Sequence, residues 1–205
     1  MKHALFITLI FIAQNLIAQK NFDEYKKGEF RLKLGLPYIN HLNLNPNDII
    51  SINKAGFLGE SIGLEYSYIG KRFLEFSFSF VGVADNPLPF PFDREGEYTT
   101  QYSSYFSMTH NHKKNRITYG YGFNYSINTW AEGFRSFEEA IPNTRNQITN
   151  KVLGLTVNSY YRIGKSFNIG LIYRPTFFQT DDRLQNKYEH LISIDFLWRI
   201  RLNKK

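Results

Sequence analysis

The last long run of the chain, His190-Leu191-Ile192-Ser193-Ile194-Asp195-Phe196-Leu197-Trp198-Arg199-Ile200-Arg201-Leu202, alternates apolar and mixed positions almost without interruption. Side chains of a strand point to opposite faces in turn, so Ile192, Ile194, Phe196, Trp198 and Ile200 form one apolar stripe. The other face carries Leu191, Ser193, Asp195, Leu197 and Arg199. The stripe is about as long as the roughly 9–11 residues with which a tilted strand crosses a bilayer. It therefore predicts a strand with its stripe toward lipid and two charges toward an interior.

Seven earlier runs follow the same rule. Phe30, Leu32, Leu34 and Leu36 alternate with Glu29, Arg31, Lys33 and Gly35, and Pro37 is expected to end the strand. An Asn-rich stretch (Asn43, Asn45, Asn47, Asn53) then predicts a long loop. The next runs carry Ile62 to Tyr68 and Leu74 to Phe80, joined by the tight Gly70-Lys71-Arg72 turn. Tyr98 to Met108 is followed by an expected turn at His110 to Asn115, and Ile117 to Ile127 alternates most cleanly. Trp130 to about Thr149 is expected to be a loop with a short helix around Phe134, Phe137 and Ile141. Leu153 to Tyr161, Gly164-Lys165-Ser166 and Phe167 to Tyr173 complete a further hairpin, and the loop from Phe178 to Tyr188 leads into the terminal strand.

About eight strands thus alternate long and short connections. The pattern predicts an all-β fold, a closed antiparallel up-and-down transmembrane β-barrel with short periplasmic turns and long extracellular loops. Alternation alone fits a soluble, ligand-binding barrel as well, so the face opposite the aromatics decides. That face is mostly Ser, Gly, Thr and Asn, small enough for a narrow lumen, where a soluble barrel would show water Lys, Glu and Arg. The apolar face carries many tyrosines, such as Tyr66, Tyr119 and Tyr173, which suit membrane interfaces.

At 205 residues the chain suits one domain. Lys2, the apolar run from Ala4 to Ala13 and the small Ala18 predict a signal peptide over residues 1–19, leaving residues 20–205 as the barrel domain. Cleavage there removes Lys2 and no acid, lowering the formal charge of +7 by one to +6. The absence of cysteine excludes a disulfide framework or thiol nucleophile, and the short Lys113-Lys114, Arg116 cluster does not make a nucleic-acid stripe.

The signal-like start, the alternation of connections and the terminal strand Ile192-Ser193-Ile194-Asp195-Phe196-Leu197-Trp198-Arg199-Ile200 together resemble small outer-membrane β-barrel proteins of the OmpX-like and PorT-like kind. The resemblance covers essentially the whole mature chain. It implies a bacterial outer-membrane location, contact with outer-membrane lipid, and recognition of the C-terminal strand by the barrel assembly machinery. Such strands usually finish on an aromatic residue, and here Arg201-Leu202-Asn203-Lys204-Lys205 follows.

No constellation points to catalysis, to a metal or to a cofactor. His190 has the parity of the stripe, while Ser193 and Asp195 have the opposite one, so the strand offers no Ser-His-acid geometry. His110 and His112 are two ligands without an acid. The parity instead sends Glu29, Arg31, Lys33, Glu65, Glu75, Arg174, Glu189, Asp195 and Arg199 into the lumen, with Arg31 and Lys33 expected beside Glu65. Unpaired charge in a narrow lumen is costly, so these residues predict an ion-paired plug. Pro87, Leu88, Phe90 and Phe92 in one loop and Trp130, Phe134 and Phe137 in another are candidate docking residues for a protein partner, or for packing over the barrel mouth. The expected protein is a non-enzymatic outer-membrane barrel acting through its outer loops in adhesion, envelope integrity or a larger assembly. The alternatives are a small diffusion channel, a membrane-embedded lipid-modifying hydrolase and a secreted, lipocalin-like carrier.

Overall fold

The computed structural model describes residues 25–46, 52–57, 59–84, 96–136, 144–181 and 185–203. The expected signal peptide and Pro87, Leu88, Phe90, Phe92 and Phe137 lie outside the described residues. Nine strands form in chain order: β1 (Glu29–Leu44), β2 (Ile52–Phe57), β3 (Gly59–Ile69), β4 (Arg72–Ala84), β5 (Gly96–Lys114), β6 (Ile117–Arg135), β7 (Thr144–Arg162), β8 (Phe167–Gln179) and β9 (Gln185–Arg201). All neighbours are antiparallel, and β1 pairs with β9 from Arg31↔Arg201 to Asn43↔His190, closing the sheet into a ring.

The ring has eight staves, because β2 and β3 lie end to end along one edge of β1. Ile39 faces Phe57 and Leu34 faces Ile62, so the pairing register is the same on both sides of the break. Gly59 sits at that break, where an added Cβ would lie 2.7 Å from the Phe80 carbonyl oxygen. The expected Asn-rich loop therefore contains a strand, β2, whose Asn53, Ala55 and Gly56 gave no apolar stripe.

Alternation holds around the ring with the faces as expected. Phe76, Phe106, Tyr121, Phe123, Leu155 and Ile194 are exposed, Phe123 at 72%, while Ser79, Ser103, Ser126, Asn158 and Ser193 are buried. The chain is thus apolar outside and polar inside, the reverse of a water-soluble globule.

Three expectations are corrected. Pro37 does not end β1; it sits at a bulge against β9, where the register shifts between Pro37 and Ile39. The bulge flips the parity, so Leu42 and Leu44 turn into the lumen and pack with Val81, Val83, Tyr105 and Leu191. His110 and His112 are not in a turn. β5 runs through both to Lys114, and the turn is the pair Asn115-Arg116, with Asn115 at φ 55°. The stretch after Trp130 is no helix around Phe134; β6 continues to Arg135 and pairs as far as Phe134↔Thr144. Ile141, also expected in that helix, lies outside the described residues.

Glycine on the inner face permits close approach of neighbouring strands. A Cβ on Gly122 would lie 2.0 Å from the Met108 oxygen and 2.7 Å from the Thr109 Cα, and one on Gly154 would lie 2.1 Å from the Pro175 oxygen. Backbone cannot swing aside as a side-chain tip can, so Gly122→Ala and Gly154→Ala are each expected to cost about 1–3 kcal/mol by forcing strands apart. Gly82→Ala, whose nearest neighbour would be 4.0 Å away, is the neutral comparison. Urea unfolding of the three variants checks the order.

Candidate functional site

The interior of the ring gathers ionisable side chains from distant parts of the sequence. Its layers follow from register. β1 sets Glu29, Arg31 and Lys33 on alternate inward positions; Arg31 stands opposite Glu65, and Lys33 opposite Arg199. Glu65 and Glu75 face each other across the β3–β4 hairpin. Two carboxylates at such a site repel unless cations come between them.

The cations come from over the neighbouring strand. Lys33 Nζ on β1 reaches past β3 to Glu75 Oε1 on β4 at 2.5 Å, and Arg199 Nε on β9 reaches past β1 to Glu65 Oε1 on β3 at 2.7 Å. Arg31 stands beside Glu65 as expected, and its Nε donates to Glu29, which also takes Arg201 Nη2 at 3.1 Å. Glu65 accepts a further bond from the Tyr25 hydroxyl at 2.9 Å, and Arg199 Nη1 donates to Asn168 Oδ1 at 2.9 Å. All of these except Arg201 are buried, Glu65 and Glu75 each at 1% exposure.

Tyr25 closes this cluster from below. Its ring stacks on Phe73 at 4.8 Å and lies under the Arg31 guanidinium at 3.9 Å. Burial pushes the Tyr25 phenol well above its usual range, so it stays a donor to Glu65. Sequence reasoning missed this residue because the polar lead before β1 has no alternation that could assign it a face.

Higher in the lumen Asp195 accepts from Tyr160 at 2.8 Å, and Arg174 donates to Ser79 Oγ at 3.0 Å while lying 4.8 Å from the Tyr105 ring centre. Glu189 takes the Asn45 backbone N–H at 2.9 Å and the Asn128 amide at 2.5 Å. At the same height as Arg174 and Glu189 the inner face also carries the apolar cluster of Leu42, Leu44, Val81, Val83 and Leu191. His190 points outward among Tyr173, Tyr188 and His41, away from the buried Ser193 and Asp195.

Outside the ring, aromatic groups gather at two heights. Tyr68, His110, His112, Tyr119 and Tyr121 contact one another toward the short turns, and Tyr173, Phe177, Tyr188 and His190 toward the long connections. At the long-loop end the staves are unequal. β4 stops opposite Thr100 and β8 ends its pairing with β7 at Val152, whereas β5, β6 and β7 each run nineteen residues. Among the described residues, 96–99, 129–135 and 144–150 continue as three paired strands past the ends of β4 and β8, and they carry Trp130 and Phe134.

Among solved structures, the chain is similar to Ail, the attachment invasion locus protein of Yersinia pestis, with a TM-score of 0.52 at 10% identity over 85% of this chain and 100% of that one. Neisserial surface protein A aligns with a TM-score of 0.49 at 11% identity over 84% of this chain and 97% of that one. No protein-family model and no curated protein matches. At this identity the likeness to Ail is one of fold.

The buried pairs predict a non-additive energetics. Arg199→Ala strands the Glu65 carboxylate and is expected to destabilise by roughly 3–5 kcal/mol, against about 0–1 kcal/mol for an exposed pair. Arg199→Ala combined with Glu65→Gln is expected to recover part of that loss, which a double-mutant cycle in urea measures.

Proposed function

We propose that the protein is an integral barrel of the bacterial outer membrane, without enzymatic activity, that works through the surface at its long-loop end. The observation that carries this is the inverted distribution of side chains: an apolar belt of Phe76, Phe106, Phe123, Leu155 and Ile194 outside, and ion pairs inside. Such a belt stays out of water only within a bilayer or against another protein, and the two aromatic tiers suit the membrane's two interfaces. A soluble carrier would turn its apolar face inward, and a diffusion channel would need a bore not filled by side chains. Small barrels of the OmpX-like and PorT-like kind fit this arrangement, with the terminal strand β9 as the element offered to the assembly machinery.

These three strands support a docking role. On β7, residues 144–150 pair with β6 alone among the described residues, which leaves one backbone edge open. An open edge accepts an added strand from a partner, with main-chain bonds for affinity and alternate side chains for selectivity. Partner binding here would serve adhesion, envelope integrity or assembly into a larger complex.

The membrane barrel is expected to remain with outer membranes after carbonate washing and to run faster on unheated than on heated gels; recovery from the soluble periplasm would sink the proposal. Phe78→Arg, on the belt, is expected to cost roughly 2–4 kcal/mol, as arginine does near a bilayer midplane, and Tyr121→Arg, in the aromatic tier toward the short turns, only about 0–1 kcal/mol. Planar bilayers holding the wild-type protein are expected to show no uniform conductance steps, and such steps would favour the channel. A photo-crosslinking residue at Gln147 is expected to trap a discrete adduct on intact cells that one at Leu155, on the belt, does not.

A further inference from the structure

We propose that the open edge of β7 is filled by the same edge of a second copy of this chain on an apposed membrane, so that two barrels join mouth to mouth; this rests on the docking edge proposed above and names its occupant. The groups that face the edge follow from the ladder. Lys151 turns both its main-chain groups away from β6, donating its N–H to Asp181 Oδ2 at 3.1 Å and accepting the Thr180 N–H at 2.8 Å. Along an antiparallel strand these directions alternate residue by residue, and the β6–β7 register runs without a bulge. Arg145, Gln147 and Thr149 therefore each hold an N–H and a C=O toward the open side, where no described strand pairs with them.

Those three residues are their own complement. Set antiparallel about a two-fold axis at Gln147, two copies pair Gln147 with Gln147 and Arg145 with Thr149, and every N–H on the edge finds a carbonyl. Thr144 then stands opposite Asn150, so the added strand stops where Thr180 takes over at Lys151. β2 and β3 already lie end to end along β1 in the same manner. Like charges do not meet, because the two Arg145 side chains fall roughly 13 Å apart along the ladder, beyond the Debye length of about 8 Å at physiological salt. On the other face Trp130 stands opposite Ile148 in the β6–β7 ladder, and both are half-buried. The two Ile148 side chains come within diagonal reach across the axis and join both Trp130 rings in one apolar row.

Orientation fixes where the second copy stands. β7 begins at the long-loop end and runs toward the short turns, and it does so in every barrel of one membrane. Two such barrels bring their β7 edges together only by a half-turn about the membrane normal. That leaves the strands running the same way and crosses them at twice their tilt of roughly 35–45°. No ladder forms at that angle. An antiparallel ladder needs a two-fold axis in the membrane plane, which places the second barrel upside down in a facing membrane. The joint is therefore one between two membranes that carry the same barrel.

The chain has no cysteine, so one introduced at the axis reports the pairing. Cα atoms of a hydrogen-bonded antiparallel pair lie about 5.5 Å apart, within the span a disulfide bridges. Barrels are folded into two batches of phosphatidylcholine vesicles carrying different dyes, and a membrane-impermeant maleimide on Gln147→Cys first confirms that the long-loop ends face outward. Mixed wild-type batches are expected to cluster. Gln147→Pro is expected to abolish clustering and keep the unheated gel band, because the N–H it removes faces the open edge and not β6. Under copper-phenanthroline oxidation Gln147→Cys is expected to give at least tenfold more disulfide-linked dimer in mixed batches than Asn146→Cys, whose counterpart stands two positions away. Wild-type vesicles that stay dispersed, or that cluster equally with Gln147→Pro, would overturn the pairing and leave the barrel and its docking edge standing. Equal dimer from the two cysteine variants would do the same, and decides alone if Gln147→Pro loses the gel band. Dimer from Gln147→Cys in vesicles that do not cluster would put both copies in one membrane and overturn the facing arrangement. An adduct at Gln147 on intact cells that holds a protein other than this chain would give the edge to that protein instead. Loss of the gel band in wild-type protein would sink the barrel reading and this pairing with it.

Discussion

The interior depends on setting cations against two carboxylates that face each other. Glu65 and Glu75 are fixed opposite each other by the β3–β4 register, and the cations that neutralise them stand on β9 and β1. Each ion pair passes over an intervening strand; Lys33–Glu75 needs β1, β3 and β4 in register, and Arg199–Glu65 cannot form until the first and last strands lie side by side. Charge balance at Glu65 therefore waits for closure. A desolvated ion pair adds little net stability over apolar packing of the same volume, but a broken one is severely unfavourable. The pairs therefore act mainly against alternative registers: a one-residue slip of β9 along β1 would turn Arg199 outward and leave Glu65 unmatched.

The same requirement accounts for the composition of the inner face. Eight staves leave room for few large side chains, and those present are arranged around the charges. Phe73 and Tyr160 lie beside Arg199, and Tyr105 beside Arg174. Serine, glycine, threonine and asparagine make up most of the rest, and several of them pair with one another or with backbone, as Asn124 does with the Leu155 carbonyl. Toward the long-loop end Leu42, Leu44, Val81, Val83 and Leu191 pack together beside the buried Arg174, Glu189 and Lys187. Apolar and charged side chains thus share the inner face beyond the β1 bulge.

Most of the fold was legible because a single rule, alternation, assigns each residue of a regular strand to a face. The rule located the eight staves, two of their three short turns and the inward position of Glu65, Glu75, Asp195 and Arg199. It failed where the backbone departs from period two. At Pro37 one extra residue reverses the faces, so Leu42 and Leu44 enter a lumen that the sequence pattern reserved for polar groups. β2 was hidden because it is short and carries no stripe, and the ends of β5, β6 and β7 because beyond the membrane belt neither face needs to be apolar. Pairing within the lumen was less legible than position: Arg31 stands opposite Glu65, yet its guanidinium turns to Glu29 two residues away. Parity gives a direction and not a rotamer.

The seam between β1 and β9 also sets an order of events. Seven other strand neighbours are close in sequence and can pair as hairpins while the chain is still arriving, but the strand that completes the ring is the last to emerge. Until then β1 has one bare edge, and the growing sheet exposes its aromatic belt with no bilayer or partner strand to meet it. Contacts of such long sequence separation form slowly, and open apolar edges are prone to aggregate in the interval. The time between the appearance of β1 and the arrival of β9 is thus the chain's most vulnerable period, and its length is set by the distance between two residues that end as neighbours, Arg31 and Arg201.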